Sequence, residues 1–200
     1  MKMLRNFTIR FVMLTILGIF CVMWAGVGLY STWSLSRVSD GNDVDRQLVR
    51  QMTVLSQGND QYFRFVTRLS RAMEVKAAGG TPDLAPAQQA LDNMSKKLAE
   101  MKAISPGPMD EKVSAQVIST WQALLEQGVT PQMAQAKQAT LEGYRQHANN
   151  VTPPLSRAFG SAAENFNNTA AKALDSTRVV VDGLTSMTRT VIITARSWVC

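Results

Sequence analysis

Three arginines are the residues of this chain best suited to binding chemistry. Arg64, Arg68 and Arg71 follow the spacing i, i+4, i+7, which places them on one stripe of an α-helix. A guanidinium group grips a carboxylate through paired hydrogen bonds, so the stripe could hold an anionic ligand. It lies away from the apolar positions Val66 and Leu69, which leaves it available to a ligand or a second subunit. Solvated arginines are common on helical bundles, and the spacing alone does not separate the two interpretations.

A second candidate region is the start of a later helix. Thr152, followed by Pro153 and Pro154, is typical of a helix N-terminus, with a hydroxyl cap and prolines in the first turn. Unpaired backbone groups and the positive end of the helix dipole both favour an anion at such a place.

Residues typical of enzyme active sites are scarce. A single histidine, His147, cannot form a triad or a metal site alone, and we interpret it as an exposed polar residue on a helix. Glycine-rich phosphate loops and the GxSxG, CxxC and HExxH motifs are absent. Cys21 lies inside the first apolar run and Cys200 is the last residue, so we predict no disulfide between them. We therefore predict a protein that is not an enzyme and that uses no cofactor or metal.

The charge balance indicates orientation rather than a partner. Lys and Arg number 21 against 15 Asp and Glu, but Lys2, Arg5 and Arg10 precede the first apolar run. The remaining excess is too small to predict nucleic-acid binding, and no motif for it is present.

Residues 11–30 form a 20-residue stretch without a charge. A helix of that length rises about 30 Å, the thickness of a bilayer's hydrocarbon core. Aromatic residues cluster at its far end, at Trp24, Tyr30 and Trp33, where rings favour the interface. The preceding basic residues place the N-terminus in the cytoplasm and the chain after residue 33 in the periplasm. A cleaved signal peptide is the alternative, but its apolar core would be only about 7–15 residues long.

Amphipathic helices account for the rest of the chain. The first continues without a break to the Gly-Gly-Thr-Pro segment at 79–82, along an apolar seam in steps of four and three. A second helix is predicted at 86–104, and a third from residue 109, interrupted at 128–131. A short polar helix follows at 132–144, and the last begins at Thr152. The seam of the first helix comprises Leu48, Met52, Leu55, Tyr62, Val66, Leu69 and Met73, with Asn59 in its one gap.

These helices predict an all-α fold, an antiparallel up-down four-helix bundle extended from an N-terminal transmembrane helix. The layout resembles the periplasmic domain of the aspartate/serine-type methyl-accepting chemotaxis receptors, over residues 1 to about 195. The segments that carry the resemblance are 67–71 (TRLSR), 102–108 (KAISPGP), 143–145 (GYR) and 151–159 (VTPPLSRAF).

The resemblance implies a homodimer through the first helix, with a small anionic or amino-acid ligand at the interface. Arginines of the first helix would hold carboxylates, and backbone groups at the start of the fourth would hold the rest. The ligand-binding residues predicted on this basis are Arg64, Arg68, Arg71, Val151, Thr152 and Pro153, with Tyr144 and Arg145 as secondary candidates.

One departure concerns the arginines themselves. The amino-acid receptors have an arginine five residues before, and another four after, the one that aligns with Arg71. Those positions hold Val66 and Val75 here, so neither aspartate nor serine is supported as the ligand.

The expected domain organisation is a cytoplasmic N-terminus (1–10), a transmembrane helix (11–33), a periplasmic ligand-binding bundle (34–190) and the truncated start of a second transmembrane helix (191–200). The predicted function is that of a sensory domain in chemotaxis, in the inner membrane, with lipid, a small ligand and a second copy of the chain as partners. The alternatives are a ligand-free anchored scaffold, a non-functional truncated receptor, or the input domain of a histidine kinase or cyclic-nucleotide enzyme.

Overall fold

The structure is a computed structural model that describes the backbone of residues 2–138 and 141–197. Side chains are described for residues 11–176 except positions 12, 38, 139 and 140. All regular structure in these residues is helical, as predicted. The elements are α1 (Lys2–Ala77), α2 (Ala85–Ile104), α3 (Glu111–Ala123), a π-helical segment (Leu124–Val129), α4 (Thr130–Lys137), α5 (Leu141–Asn150) and α6 (Thr152–Ser197).

The chain divides into two compact units. The first comprises Met1–Asp43 and Val179–Cys200, and the second is Val44–Arg178. In the first unit, large apolar side chains of α1 are exposed, from 50% at Val27 to 75% at Leu29. Such a surface is stable in lipid rather than in water. Among the described residues, one helix is long and apolar enough to cross a membrane, Met13–Ala77.

Some predictions for the C-terminal part fall outside the described side chains. These are the apolar stripe through Val180, Leu184, Met187 and Val191, and the start of a second transmembrane helix at 191–200.

The second unit has the up-down arrangement of a four-helix bundle. Arg68 contacts the start of α2 at Pro86, and Arg50 contacts its last turns at Glu100, so α1 and α2 are antiparallel. Lys137 on α4 reaches back to Gln88 on α2. The bundle helices are α1, α2, the continuous run from α3 through α4, and α6, while α5 is a short helix before the fourth.

The predicted seam of α1 faces the core. Leu48, Leu55, Leu69 and Met73 are buried, and Met52, Tyr62 and Val66 pack against the core from half-buried positions. The buried stripe is wider than the seam because a helix in a globular bundle covers about three positions in seven. The additional buried residues are Gln51, Val54, Gly58, Phe65 and Ala72.

The core also contains a close approach between α1 and α3. Trp121 is fully buried, and its ring lies 5.4 Å from that of Phe159 on α6. A Cβ atom at Gly58 would overlap the Trp121 ring. Only the hydrogen of glycine therefore leaves room for the indole against α1.

Local chemistry sets the ends of the first helices. Gly79 has φ +83°, and the amides of Gly79 and Gly80 bond to Lys76 O and Val75 O, which is a Schellman motif. The predicted end of α1 is therefore correct to one residue. Asp110 caps α3 by accepting from the amides of residues 112 and 113, so α3 begins two residues later than predicted.

The predicted interruption at 128–131 is wrong. The helix continues through a π-helical turn in which Thr130 N–H bonds to Leu125 O, five residues back. Pro131 has no N–H to donate and would clash in an ordinary α-turn, and the wider turn accommodates it. The predicted polar helix at 132–144 is also wrong, because α4 ends at Lys137 and α5 begins at Leu141.

Thr152 does not have the predicted capping role. It is the first residue of α6, and its hydroxyl donates to Gln132 Oε1 at 2.8 Å. The hydrogen bond joins α6 to α4 inside the bundle.

Candidate functional site

A cavity of about 380 Å³ lies within the second unit, among α1, α4, α5 and α6. Its volume is in the range of small-molecule pockets. The lining combines hydroxyl and amide groups with a few apolar walls. The residues are Tyr62, Val66, Ser70, Gln132, Tyr144, Arg145, Ala148, Asn149, Thr152, Pro153 and Ser156.

Helical periodicity brings these side chains together. Tyr62, Val66 and Ser70 are four residues apart and therefore share one face of α1. On α5, Tyr144 and Ala148 have the same spacing. The start of α6 also lines the cavity, and a single residue, Val151, separates it from the end of α5.

The inner wall of the pocket is polar and buried. Gln132 and Thr152 are only 3% and 4% exposed, and the hydrogen bond between them fixes both side chains. Tyr144 is 8% exposed and presents the third buried polar side chain of the lining. Buried polar groups are expensive unless they are paired, so such a wall is typical of a binding site.

Among the described residues that line the pocket, one is charged, Arg145. Among the described residues, Arg145 forms neither a hydrogen bond nor an ion pair, and no carboxylate lines the cavity. A single guanidinium without a counter-ion favours a ligand with one negative charge.

Four of the sequence-predicted residues meet at this pocket. They are Thr152 and Pro153 from the main set and Tyr144 and Arg145 from the secondary set. Val151 does not line it: its side chain is exposed, and its amide bonds to His147 O.

The three arginines of α1 lie elsewhere. Arg64 Nε donates to Asp60 Oδ2 at 2.7 Å, and Arg68 Nη1 donates to Pro86 O at 3.0 Å. Both guanidinium groups thus have a partner within this chain, and their role in ligand binding stays a prediction. Arg71 is exposed and has no hydrogen bond or ion pair among the described residues. It remains a candidate for contact with a ligand or a second copy.

The start of α6 carries two prolines in its first turn. Pro153 and Pro154 have no N–H group, so this helix start carries fewer backbone donors than an ordinary N-terminus. Its role in binding an anion stays a prediction.

His147 is half-buried rather than exposed. Its Nε2 lies 2.9 Å from the carbonyl oxygen of Gly128, in the π-helical segment. The ring thereby joins α5 to the third helix of the bundle, and this is a structural role.

Sequence reasoning missed the neutral residues of the pocket. Tyr62 is predicted as a core residue of α1, and Ser70 appears only within the segment 67–71 that carries the resemblance. Nothing in the sequence singles out Gln132. Gln132 lies in a polar stretch that is buried only because the helix continues past Pro131. No local sequence pattern predicts that the helix continues there.

The family model of the Tar ligand binding domain homologue matches residues 3–174. The chain belongs to this family. The predicted chemoreceptor resemblance is thereby confirmed, and the family is one of ligand-binding domains rather than of enzymes.

A crystal structure from Salmonella enterica is similar to this chain. It is described as the N-terminal ligand-binding domain of a protein assigned to the methyl-accepting chemotaxis proteins. The two sequences are 66% identical, the match covers 66% of this chain and 98% of that one, and the TM-score is 0.66. A comparison with curated proteins finds no match.

Proposed function

We propose that this chemoreceptor domain binds a small carboxylate in the pocket among α1, α4, α5 and α6. The observation that carries the proposal is the pocket's single unpaired cation, Arg145, beside a buried polar wall. The guanidinium holds the carboxylate through paired hydrogen bonds. The hydroxyl group of Tyr144 lies within the same lining and serves the rest of the ligand.

The pocket differs from the amino-acid receptors at Val66. This residue lines the cavity at the position where the resemblance places their first arginine. Its apolar side chain cannot hold a second carboxylate, so a dicarboxylate such as aspartate is a poor ligand. A monocarboxylate matches the one cation.

The proposed setting is a homodimer in the inner membrane. Phe63 is 59% exposed on the outer face of α1, and Arg71 lies on the same helix without a partner among the described residues. A second copy of α1 would cover the phenylalanine ring. The bundle would lie in the periplasm, and ligand binding would be transmitted across the bilayer through the helices that cross it.

Calorimetry on the full chain in detergent micelles tests the proposed site. A thermal-shift screen of small monocarboxylates first identifies a ligand, since binding to the folded state raises the melting temperature. Arg145→Ala should then lower affinity roughly tenfold to a hundredfold, the effect of losing one charge-assisted contact. The matched control is Arg157→Ala, because Arg157 is also exposed and lies outside the pocket.

A third variant, Arg71→Ala, decides between two locations. If Arg71→Ala weakens binding and Arg145→Ala does not, the ligand lies against the outer face of α1. If neither substitution changes the affinity, the ligand is held without either arginine and the proposed site is incorrect.

A further inference from the structure

Only one end of the Gln132 side-chain amide forms a hydrogen bond among the described residues. Its Oε1 accepts the hydrogen bond from the Thr152 hydroxyl at 2.8 Å. Its Nε2 donates to no group among the described residues, although the side chain is 3% exposed and lines the pocket. The Nε2 atom is accessible from the pocket rather than fully buried, so it offers a ligand a donor that no protein group among the described residues uses.

Thr152 holds this donor in place. The hydroxyl engages the oxygen end of the amide, which leaves the nitrogen end without a contact to Thr152. Gln132 itself is fixed by the run of helix that continues past Pro131. The donor is therefore rigid, and a rigid donor loses little entropy when a ligand binds.

We infer that Gln132 is a ligand-binding residue that selects carboxylates carrying a second, neutral oxygen, such as a hydroxyl group. The inference rests on the proposed function, in which Arg145 holds the carboxylate. A neutral oxygen accepts from Nε2 without adding a charge that the pocket cannot balance, since Arg145 is its one charged side chain. A plain aliphatic acid would leave the amide unpaired, and a second carboxylate would lack a cation.

The test compares acids that differ by one hydroxyl group: butyrate, 2-hydroxybutyrate and 3-hydroxybutyrate. Affinities are measured by calorimetry on the full chain in detergent micelles. At least one hydroxy acid should bind wild type roughly three to ten times more tightly than butyrate, which corresponds to one neutral hydrogen bond. In Gln132→Met the ratio of the two affinities should fall to about one.

Gln51→Met is the matched control. Gln51 is also a fully buried glutamine, but it bonds to Ile104 O and Pro106 O, outside the pocket. This variant should keep the wild-type ratio. If Gln132→Met does not fold, the double variant Gln132→Met/Thr152→Val replaces both hydrogen-bonding partners with apolar groups, and the same ratio is measured there.

Three results would overturn the inference. A preference for the hydroxy acid that survives in Gln132→Met, or in the double variant, places the second contact elsewhere. Equal affinities of wild type for all three acids remove the selectivity itself. In both cases, binding that still depends on Arg145 leaves the proposed function intact. If wild type binds none of the acids, the inference and the proposed carboxylate site both fail.

Discussion

Glu100 illustrates how individual charges contribute to this bundle. Its carboxylate accepts a hydrogen bond from Lys97 at 2.9 Å and another from Arg50 on α1 at 3.4 Å. These contacts, that with Lys97 first, hold the pKa of Glu100 below its ordinary value. A carboxylate whose pKa is lowered by folding stabilises the fold at pH values above its unfolded pKa. That contribution is lost as the pH falls through the folded-state pKa.

We therefore expect Glu100→Gln to lower the melting temperature slightly at pH 7. The difference from wild type should shrink as the pH falls through the lowered folded-state pKa of Glu100, because protonation then removes the charge that glutamine lacks. Thermal unfolding followed by circular dichroism over an acidic pH series measures both effects. Glu142→Gln is the control, because Glu142 is exposed and forms no ion pair among the described residues. Equal melting temperatures at pH 7 would mean that the ion pairs contribute nothing to stability, as at many surface sites.

Residue types alone located only part of the candidate site. Tyr144, Arg145, Thr152 and Pro153 came from segments that carry a family resemblance, and the structure places all four at one pocket. The partner of Arg68 is a backbone carbonyl on another helix, which no pattern in α1 predicts. The sequence does not identify the neutral residues of the pocket either, since their role depends on which residues the fold places around them.

At the level of helices, local signals predicted well wherever backbone geometry is decided by the nearest residues. Gly79 and Gly80 end α1, and the Ser-Pro-Gly-Pro turn separates α2 from α3. The same reasoning failed at Gly128 and Pro131, where tertiary packing keeps the helix intact through a π-helical turn. Gly128 is buried and Leu124 and Val129 belong to the core, so the burial of this stretch outweighs its weak helix propensity.

One substitution, glycine to alanine, should have opposite effects at two positions. Gly79→Ala places a Cβ atom in a left-handed conformation with φ +83° and should destabilise the fold by about 1 kcal/mol. Gly160→Ala lies within α6 with open space around it and should stabilise the fold by up to about 1 kcal/mol. Chemical denaturation of the two variants measures both free energies of unfolding. A neutral or stabilising effect of Gly79→Ala would contradict this account of the α1 terminus.

For the molecule as a whole, apolar periodicity was enough to predict an all-helical bundle behind a membrane helix. The prediction of the fold rests on many residues, so an error at a single position does not change it. The prediction of the dimer and of the ligand does not have this advantage. It depends on a few exposed side chains, and the homodimer through α1 stays a prediction.

Phe63 provides the test of that dimer. If two copies of α1 pack on their outer faces, Phe63→Glu places like charges in a self-complementary interface and should weaken association at least tenfold. Sedimentation of the full chain in detergent over a range of concentrations measures this effect. Ala115→Glu adds the same charge at an exposed position of α3 and should leave association unchanged. A monomer at every concentration of wild type would rule out the dimer.

The contact of Gly58 with Trp121 also limits how the sequence can evolve. Position 58 cannot change freely, because a larger residue there requires a smaller side chain at position 121. A lineage that loses the glycine must first, or at the same time, lose the tryptophan. Homologous sequences should therefore vary at these positions in pairs, with any side chain at position 58 accompanied by a residue smaller than tryptophan at position 121.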